Sequence, residues 1–292
     1  MVFPYTRRPM PSARDFLSLV VFAHTVFALP FALLSAVLAA GGVPVGRTLL
    51  LILVAMVGAR SAAMSFTRIV DRRIDAKNPR TARREIPTGV VSPAAAALFC
   101  AGSAALFVLA AAQLNRLCLY LSPVALAIVL GYSYAKRVTP FAHLFLGLAL
   151  AIAPVGAWVA VTGAFALPPV LLGFAVLFWV AGFDVIYSLQ DEEFDRVEGL
   201  RSIPARFGAS RALQIARLFH GATLVLLYAV FLAVSGGWLF GAAVVVAGLF
   251  LVRQHRLVSP GDLSRVNAAF FTANGWLSVA VFVLGAADVL LR

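Results

Sequence analysis

Residues 48–75 read TLLLILVAMVGARSAAMSFTRIVDRRID. The segment 48–66 is apolar apart from Arg60, and about 20 such residues are what a helix needs to cross a bilayer. Beyond it, Thr67, Asp71 and Asp75 follow at intervals of four, which places them on one face if the helix continues. The stretch therefore predicts a membrane-spanning helix whose end carries a row of oxygen-bearing side chains.

The composition extends this interpretation to the whole chain. Of 292 residues, 62% are apolar and 12% are charged, about half the charged share of a typical soluble domain. This excludes a disordered chain and an ordinary soluble enzyme. We predict an all-α, polytopic membrane protein with one domain over residues 1–292 and nine transmembrane helices. Their approximate bounds are 16–40, 48–66, 93–113, 117–134, 141–162, 167–190, 212–234, 238–252 and 267–290.

The basic residues predict the orientation of the chain. Cytoplasmic loops of membrane proteins collect Lys and Arg. With nine spans and a cytoplasmic N-terminus, all but four of the 24 basic residues fall on the cytoplasmic side. The four exceptions are Arg60, within a span, and Arg47, Arg116 and Arg292, on the opposite side. We therefore expect an integral protein of the cytoplasmic (inner) membrane, and the net charge of +12 does not indicate a nucleic-acid partner.

Nine of the twelve acidic residues fall in two segments on that cytoplasmic side. The plain alternative is that they balance nearby arginines, but their spacing is regular: Asp71 and Asp75, like Asp191 and Asp195, are four apart. Such pairs repel each other unless a cation lies between them. Oxygen ligands without His or Cys favour Mg²⁺, whose shell phosphate oxygens commonly complete, and arginine pairs well with phosphate. The pattern predicts a Mg²⁺–diphosphate site at the cytoplasmic mouth of the bundle.

Three motifs at the ends of the spans point to a family. They are Thr67-x-x-x-Asp71-x-x-x-Asp75, Tyr132-x-x-x-Lys136 and Asp191-x-x-x-Asp195, and the first continues into DAKNPRTARREIPTG at 75–89. Together they resemble the UbiA-type intramembrane prenyltransferases over essentially the whole chain. One position departs, because that family usually has Asn where this chain has Thr67.

The resemblance implies nine helices around a central cavity that opens to the cytoplasmic side. It also implies transfer of a polyprenyl group from a polyprenyl diphosphate, with Mg²⁺ as cofactor. The runs FDVIYSLQDEEFD (183–195) and SIPARFG (202–208) are most similar to the 4-hydroxybenzoate polyprenyltransferase group and its dihydroxynaphthoate branch. The implied acceptor is an aromatic acid, 4-hydroxybenzoate or 1,4-dihydroxy-6-naphthoate, in ubiquinone or menaquinone biosynthesis.

Site roles follow from the same resemblance, position by position. Metal ligands are expected at Asp71, Asp75, Asp191 and Asp195, with Thr67 as a further candidate. Diphosphate contacts are expected from Arg68, Arg72, Arg80, Lys136 and Arg137. Catalytic roles are expected for Tyr132, Lys136 and Asp184. Arg60 and Asp184 are expected to bind the acceptor, since a buried cation in a span needs a partner and the acceptor has a carboxylate. A helix carbonyl or Asp184 is the alternative partner for Arg60.

Other functions remain open at this point. A member of the same family with a chlorophyll, haem or lipid acceptor is one alternative. A secondary transporter is another, although its acids would lie near the middle of the membrane. Membrane lipids are expected partners, whereas prenyl length and oligomeric state are not decided by the sequence.

Overall fold

A computed structural model describes residues 12–20 and 25–292, and within these ranges every regular element is helical. The helices are α1 Ala13–Val20, α2 Thr25–Ala40, α3 Gly46–Asp75, α4 Pro93–Leu114, α5 Arg116–Gly131, α6 Ala135–Val138, α7 Ala142–Thr162, α8 Leu167–Ser188, α9 Glu192–Val197, α10 Ile203–Ala233, α11 Trp238–Arg256 and α12 Asn274–Leu290. Short 3-10 turns, Tyr132–Tyr134 and Leu189–Asp191, precede α6 and α9, and a π-helical segment, Ala268–Ala273, precedes α12.

Eight helical stretches in the described part of the chain are long and apolar enough to cross a membrane, and α2 contributes a shorter apolar helix, Phe27–Ala40. The all-α membrane architecture is confirmed. Part of the expected first span, residues 21–24, lies outside the described residues. The count of nine transmembrane helices and the side to which the cavity opens stay predictions.

The structure refines the ends of two spans. The helical stretch of the seventh starts at Ile203, where the Ser202 side chain accepts a hydrogen bond from the backbone N–H of Ala205, but its backbone is not helical at Gly208 (φ 78°, ψ 162°). A short capped helix therefore precedes the long one, which starts after this kink, close to the predicted boundary near 212. The eighth span extends to Arg256 rather than 252, by a polar turn that a hydropathy pattern assigns to a loop.

Small residues allow the helices to pack closely. A Cβ on Gly58 of α3 would lie 2.9 Å from the Ser103 carbonyl oxygen of α4, so this crossing depends on glycine. At the centre of the bundle, the fully buried Trp179 of α8 packs against Phe31 and donates a 3.0 Å hydrogen bond to Asn274 of α12. These contacts join α2, α8 and α12 into one aromatic core.

An apolar cavity of about 430 Å³ lies among α3, α5, α7 and α8. Its lining extends from Tyr132 at one end to Phe165, in the α7–α8 connection, at the other. Few polar side chains face it, and Arg60 is the only charged one among the described lining residues. The cavity therefore runs along much of the bundle and ends beside the predicted site residues.

Candidate active site

Helix α3 continues without a break through the first acidic motif and ends at Asp75. The expected alignment of Thr67, Asp71 and Asp75 on one face follows from this continuity. The second motif begins in the 3-10 turn after α8 and continues into α9, so Asp191 and Asp195 are both buried. The two acidic motifs thus come to the same end of the bundle.

The loop after α3 reaches across to the second motif. Arg80 donates to both carboxylate oxygens of Asp191, from Nε to Oδ1 at 3.0 Å and from Nη2 to Oδ2 at 2.6 Å. Asn78 adds a 3.0 Å hydrogen bond from Nδ2 to Oδ1. Burial alone would lower the pKa of Arg80, but the hydrogen bonds and charge of Asp191 outweigh it and raise that pKa above its ordinary value. Arg80 therefore stays cationic throughout the physiological range.

The first motif is also held by arginines. Arg84 Nη1 lies 2.7 Å from Asp75 Oδ1, and Arg137 Nη2 lies 2.9 Å from Asp71 Oδ1. Arg137 belongs to the segment that follows Tyr132, so the ion pair joins α3 to α6. Each of Asp71, Asp75 and Asp191 consequently has an arginine partner, two from the loop after α3 and one from α6.

Two buried carboxylate oxygens without hydrogen-bond partners in the described part of the chain make the acidic site suitable for a magnesium ion. Asp75 Oδ2 and Asp195 Oδ2 are buried and have no hydrogen-bond partner within the described residues, an arrangement that is costly unless a cation meets them. No three His, Cys, Asp or Glu side chains in those residues are already grouped to hold a metal. Mg²⁺ needs only one or two protein carboxylates when phosphate oxygens complete its shell, so the donor set is compatible with it.

Thr67 is engaged in three hydrogen bonds. Its hydroxyl donates to the Ala63 carbonyl at 2.9 Å. It must therefore accept from the Tyr132 hydroxyl at 3.0 Å and from Ser133 Oγ at 2.8 Å, which occupies both lone pairs. In this arrangement Thr67 orients Tyr132, and metal ligation by Thr67 would require one of these bonds to break.

Asp184 is paired with a histidine that the motif comparison did not single out. His143 Nδ1 lies 2.7 Å from Asp184 Oδ2, and the Ile203 backbone N–H donates to His143 Nε2 at 3.4 Å. Because Nε2 accepts, the ring hydrogen is on Nδ1 and is donated to the carboxylate. Asp184 thereby has a fixed orientation, with a side chain that is 20% exposed.

The remaining predicted residues occupy different positions. Tyr132 lies within the electrostatic influence of Arg60, Asp71 and Asp184. Lys136 lies within that of Asp184, Asp191 and Asp195, so its charge acts on the second acidic motif. Two arginines of α3 are less clearly placed for the site: Arg68 is buried, at 6% exposure, and Arg72 donates to the Ile69 carbonyl of its own helix.

Four site residues were not identified from sequence: Asn78, Arg84, Ser133 and His143. Asn78 and Arg84 lie within the quoted loop at 75–89, where nothing in the spacing separates them from their polar neighbours. His143 offered a usable signal, because a polar side chain inside an apolar span usually has a specific partner.

Comparisons with known proteins agree with this geometry. Residues 28–277 match the UbiA prenyltransferase family. The chain is 32% identical over 257 residues to a 4-hydroxybenzoate octaprenyltransferase of Nitrosomonas europaea, covering 87% of each. It is 31% identical over 293 residues to a protein of the same name from Ectopseudomonas mendocina, covering 98% of this chain and 97% of that one.

Solved structures show the same fold. The apo structure of a UbiA homolog from Aeropyrum pernix K1 has 35% identity and a TM-score of 0.78, covering 91% of this chain and 96% of its own. A UbiA homolog from Archaeoglobus fulgidus bound to GPP and Mg²⁺ has 21% identity and a TM-score of 0.75, covering 94% and 99%. The helical membrane bundle and its aspartate motifs define an intramembrane transferase. The chain belongs to the UbiA prenyltransferase family, whose members are prenyltransferases.

Proposed function

We propose that this protein transfers a polyprenyl group from a polyprenyl diphosphate to the ring of an aromatic carboxylic acid, with Mg²⁺. The observation that carries the proposal is the Arg80–Asp191 pair, which brings the loop after the first acidic motif onto the second. Thr67 of the first motif contacts Tyr132, which lines the end of the apolar cavity. The names of the curated relatives favour 4-hydroxybenzoate and ubiquinone biosynthesis. The acid 1,4-dihydroxy-6-naphthoate, in menaquinone biosynthesis, is the alternative acceptor.

The diphosphate end of the donor would lie between the two motifs. Asp71, Asp75, Asp191 and Asp195 would hold Mg²⁺, which when bound neutralises charge on the leaving diphosphate. Arg80, Arg137 and Lys136 would bind the phosphate oxygens, with Arg68 and Arg72 as further candidates. In the structure, Arg80 and Arg137 form ion pairs with Asp191 and Asp71. If Mg²⁺ bound these carboxylates, the two guanidinium groups would become available to phosphate oxygens.

The prenyl chain would occupy the apolar cavity. Cleavage of the C1–O bond gives an allylic cation, which the water-poor cavity protects from hydrolysis. Tyr132 borders this cavity and is oriented by Thr67, so its ring would lie beside the cation. The cavity extends from Tyr132 to Phe165, and the prenyl chain would lie along it.

The acceptor would bind between Arg60 and Asp184. Arg60, the charged side chain among the described lining residues of the cavity, would pair with the carboxylate of the acid. The ring carbon ortho to the phenolic hydroxyl then attacks the allylic cation. The proton released from that carbon passes to the Asp184 oxygen that His143 does not occupy. His143 keeps this carboxylate oriented while the charge changes.

The basic residues support an orientation with the acidic site in the cytoplasm of an inner-membrane protein. Arg80, Arg84, Lys136 and Arg137 all lie at the same end of the bundle as the acids. The donor would then lie in the membrane with its diphosphate at the cytoplasmic surface.

An acceptor panel tests the function. Purified protein in nanodiscs is supplied with Mg²⁺, geranyl or longer prenyl diphosphates, and either 4-hydroxybenzoate or 1,4-dihydroxy-6-naphthoate. Mass spectrometry should detect one prenylated acid in clear excess. If neither acid is prenylated while a neutral lipid or porphyrin acceptor is, the aromatic-acid proposal is wrong. Product formation is itself the observation that would distinguish transfer from transport.

A further inference from the structure

We propose that the groove between α11 and the π-helical segment before α12 is a binding site for the headgroup of an anionic phospholipid. The groove is lined mainly by apolar surface, including Phe250, Leu257 and Trp276, and the two arginines Arg253 and Arg265 border it. Nothing in the transfer reaction requires these residues. The lining residues belong to neither acidic motif, and the site is proposed independently of the acceptor.

The charge of the groove is not neutralised within the protein. Arg80, Arg84, Arg137, Arg196 and Arg292 each have an acidic partner. Arg253 and Arg265 are both exposed, and neither has an ion-pair partner in the described part of the chain. Asp262 interacts with Arg265 electrostatically but makes no ion pair with it, and its carboxylate accepts a hydrogen bond from the Ser264 backbone N–H. Two available guanidiniums in one groove favour a phosphate ligand.

The position of the groove suits a lipid better than a soluble anion. Arg253 is in the last turn of α11, and the polar connection 257–267 follows it. Trp276, 62% exposed, is also among the lining residues, and tryptophan is a residue that is enriched at membrane–water boundaries. An anionic headgroup there meets the arginines while its acyl chains lie against Phe250 and Trp276. The volume of the groove is about 50 Å³. One water needs ~10–15 Å³, so the groove has room for a small polar group.

The π-helical segment Ala268–Ala273 shapes the groove. Its wider turn is a local departure that often accompanies a functional position. Gln254 and Asn274 both donate hydrogen bonds to the Ala269 carbonyl, at 3.0 and 3.4 Å, and keep the segment in this form. Thr272 and Ala273 of this segment form part of the groove wall, so the wall is fixed before any ligand binds.

The test measures lipid selectivity in the full-length protein. Two sets of phosphatidylcholine nanodiscs are compared, one with added brominated phosphatidylglycerol and one with added brominated phosphatidylcholine. In both added lipids the bromine is near the headgroup, where it quenches nearby tryptophan. The signal of Trp276 is the difference between the wild type and Trp276→Phe. We expect stronger quenching by the anionic lipid and a selectivity of about fivefold for each arginine. The double variant Arg253→Gln/Arg265→Gln should lose it.

The matched control is Arg211→Gln/Arg256→Gln, which removes two exposed arginines outside the groove from the same end of the bundle. It should retain the selectivity. Absence of any preference in the wild type overturns the proposal, and so does equal loss in both double variants, which would show attraction to the basic surface as a whole. Near-ultraviolet circular dichroism of each variant confirms that the bundle is folded, since all four arginines are at the surface.

Discussion

The guanidinium of Arg80 binds both carboxylate oxygens of Asp191, although 111 positions separate the two residues in the chain. This bidentate pair fixes the loop after α3 over the second acidic motif, and it does so with the arginine lying over the Tyr187 ring at 5.3 Å. The candidate site is therefore assembled by the loop as much as by the helices. The consequences can be tested one residue at a time.

Replacing Arg80 by lysine tests the geometry of this pair. Lysine keeps the charge but cannot donate from two fixed positions. Loss of a charge-assisted hydrogen bond costs about 1.5–3 kcal/mol, so we expect kcat/KM for the prenyl diphosphate to fall by roughly 10- to 150-fold. Arg83→Lys, an exposed neighbour in the same loop, should be unchanged. Equal activity of the two variants would contradict a role for the bidentate contact.

The His143–Asp184 pair predicts a difference between two amide replacements. In His143→Asn the side-chain N–H₂ stands near the position of Nδ1 and can still donate to Asp184, whereas in His143→Gln it is displaced toward Nε2. We expect His143→Asn to retain most of kcat and His143→Gln to lose roughly tenfold or more, with the donor KM unchanged in both. Steady-state kinetics at saturating donor provide the comparison. Similar kcat values would show that the pair is only structural.

Arg60 is tested through the charge of the acceptor. If it pairs with the acceptor carboxylate, Arg60→Ala should raise the KM for the acid by about 10- to 100-fold. The methyl ester of the same acid has no charge to pair, so its KM should change little. Arg60→Lys should give an intermediate value for the acid. A parallel increase for acid and ester would indicate that Arg60 supports the cavity rather than the carboxylate.

Asp288, at the opposite end of the bundle from the acidic motifs, is predicted to affect stability and not activity. Buried Asp288 of α12 accepts hydrogen bonds from the backbone N–H groups of Gly237 at 2.9 Å and Phe240 at 3.2 Å, and it pairs with Arg292. It thus caps α11 from another helix. Asp288→Ala should reduce the free energy of unfolding by about 1–3 kcal/mol and lower Tm by several degrees in thermal denaturation. Asp262→Ala, in an exposed connection, should not. Activity well below Tm should be the same in both variants.

Local patterns predicted much of the molecule. The row Thr67, Asp71 and Asp75 depends only on the continuation of α3, which the structure confirms. The contacts of Arg80 with Asp191 and of His143 with Asp184 depend on which helices become neighbours, and no local pattern contains that information. The π-helical segment before α12 is equally invisible in sequence, because it is stabilised by Gln254 from another helix. Thr67 lies on the predicted face of α3, but its hydroxyl is hydrogen-bonded to Tyr132 and Ser133. The spacing of the motif alone does not reveal these contacts.

The most direct test of the central claim, a Mg²⁺–diphosphate site built by both acidic motifs, is the Mg²⁺ dependence of prenylated-acid formation in the wild type and three variants. The wild type should form product only with Mg²⁺. Asp75→Asn and Asp191→Asn, one from each motif, should each reduce the rate by about 100-fold or more. Glu193→Gln, an exposed acid in the second segment, is the control and should behave as wild type. If either aspartate variant keeps the wild-type rate and Mg²⁺ dependence, the two motifs do not form one site.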